Sequence, residues 1–400
     1  MKKELSTKEF IALFILFLML LFQNILEQYI AIFKFFDESL IGVLFIVYLY
    51  KQFIVGIKLN KEIEELIKNN MMIAIAMVII LIVGLSGNII YKYQNISAII
   101  ADIILVFKGF ITYVLASIIF CDVSFEKYYK YINTTLRIIV VISTVMILIN
   151  YPLNIFPIKD IRYGLPSQRL FFSEPTYLAT VAISIIVLLT LLIKKYSKNI
   201  YYIAAMIIVV VSTLRSKAII FIAIYLVLYY LIIFREFRLN KKLIIVIALV
   251  GILVGSVKVG TYLSNRDWAR PALMLNSLKI SDDHFPIGGG FATFATWNSG
   301  VHYSPLYYAY NLNNTWGLQP DFYMFVGDTY WPAILGQFGY IGLACVIFIL
   351  FKIYKNITLN KCKFKYFQQL SILIYLLILS TAETSFMSPM ASLLCLLIAI

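Results

Sequence analysis

Charged residues are scarce in this sequence: Asp, Glu, Lys and Arg make up 14% of its 400 residues, whereas hydrophobic residues make up 62%. Because about a quarter of a soluble domain is usually charged, these proportions exclude an ordinary soluble domain and predict a protein embedded in a bilayer. The four cysteines form no CxxC pair, which argues against a zinc site or a disulfide framework. The apolar runs are continuous and do not alternate with polar residues, so a membrane β-barrel is excluded too.

The apolar runs predict about 11–12 transmembrane helices, at about 20 residues for each crossing. We expect one all-α polytopic membrane domain over residues 1–400, whose first helix is retained rather than removed as a signal peptide. The predicted helices lie near residues 10–26, 40–57, 71–90, 96–119, 132–150, 177–193, 200–214, 218–234, 243–258, 331–351, 367–382 and 389–400.

The charges are distributed unequally between the two sides of this predicted topology. With the N-terminus inside, the inner segments carry 21 of the 34 Lys and Arg residues and 8 of the 20 Asp and Glu residues, whereas the outer segments carry 11 of each. Nearly all of the net charge of +14 therefore faces the cytoplasm, as is the rule for multi-pass membrane proteins. Short basic loops beside an anionic leaflet argue against nucleic acid as a partner.

Two predicted outer segments, residues 151–176 and the large loop 259–330, are longer than a tight turn requires, and function is expected there. Five of the eight arginines fall in outer segments, against the trend of the lysines: Arg162, Arg169, Arg215, Arg266 and Arg270. Since a guanidinium group engages two phosphate oxygens at once, this distribution predicts a phosphate or pyrophosphate site. The alternative is that these side chains pair with outer carboxylates or reach lipid headgroups.

Residues 169–177 (RLFFSEPTY) lead into a predicted helix. Ser173 or Glu174 suits the N-cap, and Pro175 suits the first turn, where its missing N–H costs nothing. An arginine just before a helix N-terminus predicts an anion-binding position, with Glu174 acting as a cap or as a partner that orients Arg169.

The hairpin at residues 212–217 (STLRSK) is a second basic position. It places Arg215 and Lys217 beside three hydroxyl groups at the start of another predicted helix, an arrangement that suits phosphate. The alternative is an ordinary anchor at the membrane interface.

Both histidines of the sequence, His284 and His302, lie in the large loop. His284 begins residues 284–294 (HFPIGGGFATF), where Gly289 and Gly290 allow a backbone to approach a ligand closely. The stretch lacks a P-loop lysine, which argues against a nucleotide-binding loop. The alternative for His284 is a turn histidine that is hydrogen-bonded to a carbonyl group.

The same loop contains a predicted short helix over residues 272–280, with Arg266 and Arg270 at its start. Aromatic residues are frequent over residues 297–331 and suit stacking against sugars. An aromatic belt at the headgroup level is the competing explanation, above all for Trp331.

Two ionisable residues, Asp102 and Lys108, lie inside a predicted helix. Residues six positions apart do not share a helix face, so we expect separate partners for them. The predicted helices lack the chain of midplane charges that a proton-coupled pump requires.

With these features the sequence resembles the Wzy-type bacterial polysaccharide repeat-unit polymerases, which act on O-antigen and capsule and are related to the O-antigen ligases. The resemblance is carried by residues 169–177, by residues 285–294 (FPIGGGFATF) and by residues 328–342 (DTYWPAILGQFGYIG). Residues 36–38 (FDE) and 102–108 (DIILVFK) also resemble recurring segments of the family. With the helix count and the loop placement, the resemblance spans most of the chain.

The resemblance implies a C-type glycosyltransferase-like membrane fold and a metal-independent enzyme without a soluble cofactor. Such an enzyme moves a growing glycan from undecaprenyl pyrophosphate onto a lipid-linked repeat unit, at the outer leaflet of the bacterial inner membrane. A flippase and a chain-length regulator are the implied protein partners. An O-antigen-type ligase shares this architecture, and an oligosaccharide flippase or transporter is the alternative from another class, although we find no internal repeats typical of transporters.

This chemistry gives roles to the candidate residues. Preorganised cations stabilise the charge that builds on a departing pyrophosphate, and the acceptor hydroxyl needs a base. The candidate pyrophosphate ligands are Arg169, Arg215, Arg266, Arg270 and Lys217. The candidate bases are His284, His302, Asp283 and Asp328, and the candidate supporting residues are Glu174, Gly289 and Gly290.

Overall fold

A computed structural model describes residues 3–56, 60–237 and 268–400 of the chain, and most of these residues are helical. The predicted helix over residues 243–258 and Arg266 lie outside the described residues. The α-helices are α1 Thr7–Leu21, α2 Gln23–Tyr29, α3 Phe36–Tyr50, α4 Lys61–Tyr91, α5 Ile96–Phe120, α6 Tyr129–Leu153, α7 Pro175–Leu191, α8 Asn199–Ser212, α9 Ser216–Tyr229, α10 Ala269–Asp283, α11 Trp297–Val301, α12 Pro305–Ala309, α13 Tyr330–Thr358, α14 Lys363–Leu379 and α15 Pro389–Ala399. Short strands pair in two places, β1 Lys3–Glu4 in parallel with β2 Val123–Ser124, and β3 Ile161–Arg162 antiparallel to β4 Leu165–Pro166.

Several of these helices are long and apolar enough to cross a membrane. Five described segments meet both conditions, and the bent pair α1 and α2 brings the number to six if it is one span. Three further apolar helices, α7, α8 and α15, are shorter than a full crossing. The prediction of an all-α chain with several possible membrane spans is confirmed, whereas the described residues contain fewer full-length spans than the 11–12 predicted.

The helix boundaries differ from the predicted ones where polar residues meet apolar runs. The predicted first helix is broken at Phe22, where α1 and α2 meet at an angle of 73°. Helix α4 begins ten residues earlier than predicted, at Lys61, because Asn60 caps it by accepting the Ile63 N–H. A prediction from hydrophobicity finds the apolar part of a helix and misses polar turns that extend it.

The helices run between two ends of the molecule that differ in their charged residues. The lysine end comprises residues 51–56, 60, 121–128, 192–198, 235–237 and 359–362, and it includes the ion pairs of Lys51 with Asp122 and of Lys361 with Glu62. Strand β1 pairs with β2 there, so the start of the described chain lies at this end too. The arginine end comprises residues 154–174, 213–217, 268–329 and 380–388, where Thr384 N–H donates to the Gly327 carbonyl.

The core lies around the short helices. Helix α7 buries every residue from Leu178 to Val187, and α15 buries every residue from Met390 to Ile398. A helix that is apolar on all sides is stable where other helices or lipid surround it, and the burial of these two helices shows that protein surrounds them. Both helices contact α14, and α15 also packs against α5, so these four helices form the centre of the fold.

Candidate functional site

Charged side chains from the α6–α7 loop gather at the start of α7 and of α9. Arg162 Nε lies 2.7 Å from Asp160 Oδ2, and Arg215 Nη1 lies 3.3 Å from the same oxygen. Burial and the like charges of Arg169 and Arg215 lower the pKa of Lys159, which places Arg169 in the same group. We name the following six residues the basic cluster: Lys159, Asp160, Arg162, Arg169, Glu174 and Arg215. Four cations against two carboxylates leave the cluster with a surplus of positive charge.

Main-chain carbonyl groups orient Arg169 within this cluster. Its Nε donates to the Pro157 carbonyl at 2.8 Å. Its Nη1 donates to the carbonyls of Ser173 at 3.0 Å and of Phe172 at 3.4 Å. No carboxylate of the described residues lies within salt-bridge distance of this guanidinium group. Arg169 is therefore fixed in direction, while no described residue supplies a counter-ion for its charge.

Glu174 plays a different part from the one predicted. It occupies the N-cap position of α7, directly before Pro175, but its side chain makes no capping hydrogen bond. It forms an ion pair with Lys159 instead, and its other oxygen lies 3.7 Å from Arg215 Nη2. The expectation that Glu174 orients Arg169 is wrong, because the two neighbouring cations reach its carboxylate first.

The turn between α8 and α9 is tied to the α6–α7 loop by two hydrogen bonds. Gln168 N–H donates to the Ser212 carbonyl at 3.0 Å, and Ser167 Oγ donates to the Thr213 carbonyl at 2.7 Å. The predicted hairpin is confirmed, since α8 ends at Ser212 and α9 begins four residues later. These bonds bring Arg215 to the cluster although it is distant from Arg169 in the sequence.

The electrostatic environment of Arg215 favours an added negative charge. Its side chain is 14% exposed, and its Nε is buried without a hydrogen-bond partner among the described residues. Burial lowers the pKa of the guanidinium group, and the like charge of Arg162 lowers it further, whereas Asp160 and Glu383 oppose the shift. A phosphate oxygen would satisfy this donor and offset the burial of the charge.

A second pair of charges continues from the basic cluster. Lys217 pairs with Glu383 in the turn between α14 and α15. Arg270, in the first turn of α10, donates to Asp328 Oδ2 from Nε at 3.1 Å and from Nη2 at 2.8 Å. Burial raises the pKa of Asp328, while the charges of Arg270 and Lys217 lower it. Because Lys217 acts on Asp328 and Glu383 acts on Arg215, one continuous electrostatic region links both sets.

The arginine end thus gathers four of the five predicted pyrophosphate ligands. They come from three separate stretches of the chain, and they are Arg169, Arg215, Lys217 and Arg270. The alternative that the arginines pair with carboxylates holds for Arg162, Arg215 and Arg270, whereas it fails for Arg169 within the described residues. These four side chains are therefore grouped at one end of the described structure and are not spread along it.

Both histidines contact the turn between α4 and α5. His284 Nδ1 lies 2.8 Å from the Ile280 carbonyl, and Nε2 lies 3.0 Å from Tyr93 Oη. The carbonyl accepts a hydrogen bond from Nδ1–H, so Nε2 is left to accept a hydrogen bond from the tyrosine hydroxyl. His302 Nδ1 lies 3.4 Å from Asn95 Nδ2. Neither ring has a described hydrogen bond or ring contact with the basic cluster, and His284 has the geometry of a turn histidine.

The two candidate aspartates, Asp283 and Asp328, have different partners. Asp283 accepts a hydrogen bond of 2.5 Å from Tyr310 Oη. Burial and this bond to a carboxylate raise the pKa of Tyr310, so the phenol remains the donor. Of the four predicted bases, Asp328 is the one in contact with a predicted pyrophosphate ligand, Arg270.

Gly289 and Gly290 pack against a break in α13. Their N–H groups donate to the carbonyls of Gly336 at 2.9 Å and of Gln337 at 2.8 Å. These carbonyls are available because α13 is interrupted at Gly339, whose φ is 59° and ψ is −159°. The close approach predicted at these glycines is therefore made by the protein's own backbone, and the glycines position α13.

Sequence analysis overlooked a buried ion pair beside this region. Lys108 Nζ lies 2.7 Å from Asp37 Oδ2 and 3.2 Å from Glu38 Oε1, and both Lys108 and Asp37 are almost fully buried. Gln23 Nε2 donates to Asp37 at 2.9 Å. The only signal was that both partners occur in segments that resemble the polymerase family. Charges so far apart in the sequence gave no reason to pair them.

A hydrogen-bond contact connects this buried pair to the basic cluster. Asn24, next to Gln23, accepts from Ser173 N–H at 2.9 Å and donates to Ser173 Oγ at 2.9 Å. Ser173 also supplies one of the carbonyls that orient Arg169. The bend between α1 and α2 is what directs Asn24 toward this loop.

Asp102 and Lys108 have separate partners, as predicted. Asp102 accepts from the Ala292 N–H at 2.8 Å and from Asn298 Nδ2 at 3.2 Å. Asp102 therefore fastens the large loop to α5 and lies apart from the ion pair of Lys108.

The aromatic residues of the large loop divide into buried and exposed groups. Tyr307 is fully buried and donates or accepts at the Ser299 hydroxyl. Trp297, Tyr308 and Trp316 are each more than half exposed. The exposed three are the candidates for stacking against a sugar, and the buried ones hold the loop together.

Neither a group of metal ligands nor a similar known protein indicates the function of this chain. In the described ranges no three His, Cys, Asp or Glu side chains are grouped so as to hold a metal ion. No protein-family model matches the chain, and no curated protein matches it significantly. The function therefore has to be inferred from the geometry of the arginine end.

Proposed function

We propose that this chain is a glycosyltransferase of the bacterial polysaccharide-polymerase type. It transfers a growing glycan from undecaprenyl pyrophosphate onto a lipid-linked repeat unit, within a C-type glycosyltransferase-like fold. In this proposal the lysine end faces the cytoplasm and the arginine end lies at the outer leaflet of the inner membrane. The lysine excess at the end that also holds the start of the described chain supports this orientation.

The observation that carries the proposal is Arg169, a guanidinium group fixed by three carbonyls without a counter-ion among the described residues. Helices α7 and α9 both begin at the basic cluster, and their N-terminal dipoles add positive potential there. A diphosphate satisfies this potential better than a neutral sugar or a carboxylate, because it offers several charged oxygens at once.

The reaction follows from this placement of charge. The acceptor hydroxyl oxygen attacks the anomeric carbon of the donor sugar, and the bond from that carbon to the pyrophosphate oxygen breaks. Arg169 and Arg215 stabilise the negative charge that develops on the leaving pyrophosphate. Asp328 takes up the hydroxyl proton, since burial raises the pKa of this carboxyl group, and Arg270 holds it in position.

The direct test is extension of a synthetic lipid-linked repeat unit by the purified protein in liposomes. Chains of several units on the lipid carrier are the expected product. Transfer to a different acceptor without chain growth would identify a ligase instead. Movement of the unit across the bilayer with no new glycosidic bond would identify a transporter and overturn the proposal.

The site itself is tested by Arg169→Lys, which keeps the charge and removes the planar fork. A lysine cannot donate to three carbonyls and a phosphate in this geometry, so we expect a loss of roughly 10- to 100-fold in chain extension. Arg235→Lys is the matched control, because Arg235 lies at the lysine end and donates to Tyr230 Oη. Equal activity of the two variants would remove Arg169 from the site.

A further inference from the structure

An exposed apolar groove runs between α4 and α13. Its volume is about 340 Å³, and apolar side chains line it almost exclusively. The lining residues that matter here are Met72, Ile75 and Ile79 on α4 and Ala344, Cys345 and Phe348 on α13. Ile75, Ile79 and Phe348 are all well exposed, so the groove opens to the surroundings of the helix bundle and not to its core.

Two lysines lie at the same end of this groove. On α4, Lys68 precedes Met72 by four residues and Ile75 by seven, so it continues the groove-lining stripe. On α13, Lys352 follows Phe348 by four residues, and its Nζ lies 5.2 Å from the centre of the Phe348 ring. Because α4 ends at the arginine end and α13 ends at the lysine end, the two helices are antiparallel. Both stripes therefore end in a cation at the lysine end.

Neither cation has a counter-ion among the residues that the structure describes. Lys352 is 9% exposed, and its Nζ donates only a long hydrogen bond of 3.3 Å to Asn69 Oδ1. By contrast, the neighbouring Lys355 pairs with Glu65 at 3.3 Å. A buried ammonium group without a counter-ion is costly, so an anion from outside the chain would stabilise it.

We infer that this groove binds one anionic membrane lipid, with an acyl chain in the groove and its phosphate between Lys68 and Lys352. A soluble anion would leave the apolar groove empty, and a neutral lipid would leave both cations unpaired. The position of the cations also matches the predicted inner leaflet, where anionic headgroups are abundant. The inference goes beyond the proposed function and does not depend on glycosyl transfer.

The test is titration of the delipidated full chain with dioleoyl phosphatidylglycerol or dioleoyl phosphatidylcholine, followed by native mass spectrometry of the first bound lipid. We expect phosphatidylglycerol to bind more tightly. Lys68→Gln and Lys352→Gln should each weaken it by about fivefold, because one lysine near an anionic headgroup contributes about that factor. Lys355→Gln is the matched control and should leave the affinity unchanged.

A separate variant tests the groove. Ala344→Phe fills the groove from an exposed position and should weaken binding of phosphatidylglycerol without altering the melting temperature. If Lys352→Gln fails to fold, the variant Lys68→Gln still tests the role of positive charge, because Lys68 is exposed. Equal affinity for the two lipids, an unchanged preference in Lys68→Gln, or full competition by inorganic phosphate would each overturn the inference.

Discussion

The buried pair of Lys108 and Asp37 offers the clearest test of the structure. Lys108→Met removes the cation and leaves Asp37, which is fully buried, with Gln23 as its remaining described partner. Breaking a buried ion pair by removing one partner costs about 3–5 kcal/mol, because an uncompensated charge stays in the interior. Glu38, whose side chain is 28% exposed, loses its contact with Lys108 in the same variant.

The double variant Lys108→Met with Asp37→Asn separates lost charge balance from lost packing. Asn at position 37 still accepts the hydrogen bond from Gln23 and carries no charge. We therefore expect the double variant to recover most of the loss and to lie within about 1–2 kcal/mol of the natural protein. Lys355→Met is the surface comparison, because its ion pair with Glu65 is about half exposed and is expected to contribute at most about 1 kcal/mol.

Thermal unfolding in detergent, followed by the loss of the helical circular dichroism signal, measures this series, because most of the described residues are helical. The single variant Lys108→Met should melt lower by on the order of 5 °C. The reasoning fails if Lys108→Met melts no lower than Lys355→Met. It also fails if the double variant is as unstable as the single one.

Two further predictions concern the arginine end. Burial alone would raise the pKa of Asp160, but the hydrogen bond from Arg162 and the charge of Arg215 outweigh it and hold the pKa below its ordinary value of 3.8. The ion pairs of Asp160 therefore stabilise the fold fully above pH 3.8, and this stabilisation is lost as the pH falls through the lower pKa of the folded protein. Hydrogen-exchange protection factors over β3 and β4, which correct for the slower intrinsic exchange in acid, should fall with that titration, and Asp160→Asn should abolish the pH dependence. Gly290→Ala should destabilise the protein by more than about 1 kcal/mol, because Gly290 has φ +97° and a Cβ there would lie 2.6 Å from backbone, whereas Gly42→Ala meets no atom within 4 Å and should be neutral or mildly stabilising. A melting temperature unchanged by the first substitution, or lowered equally by both, would contradict the packing described for Gly290.

Local sequence patterns predicted where the helices lie better than they predicted the contacts between helices. The start of α7 at Pro175 and the hairpin at Ser212 were predictable, because caps, proline and apolar runs act within a few residues. The bend at Phe22 was not, since no proline or glycine marks it and tertiary packing decides it. The late start predicted for α4 has a similar origin, because its polar first turns are stabilised by their cap and not by burial.

The candidate site was likewise predictable in part: the types of its residues were, and their contacts were not. Composition identified arginine as the unusual residue of the arginine end, and four of the predicted ligands do lie together there. His284 was indistinguishable from a base in the sequence, because only the folded chain places Ile280 and Tyr93 against its two nitrogens. The glycines Gly289 and Gly290 likewise gave no sign of whether a ligand or α13 would approach them.

The sequence by itself determined that this chain is helical, rich in possible membrane spans and divided into a lysine-rich and an arginine-rich side. Those properties follow from residue type and from spacing along the chain, which local hydrogen bonds and hydrophobicity read directly. Only the tertiary structure decided that Arg169 has no counter-ion among the described residues while Arg162 and Lys108 do have one. Which charged residues form ion pairs depends on how helices that are far apart in the sequence pack together. The separation of two residues along the sequence does not give their distance in the folded protein.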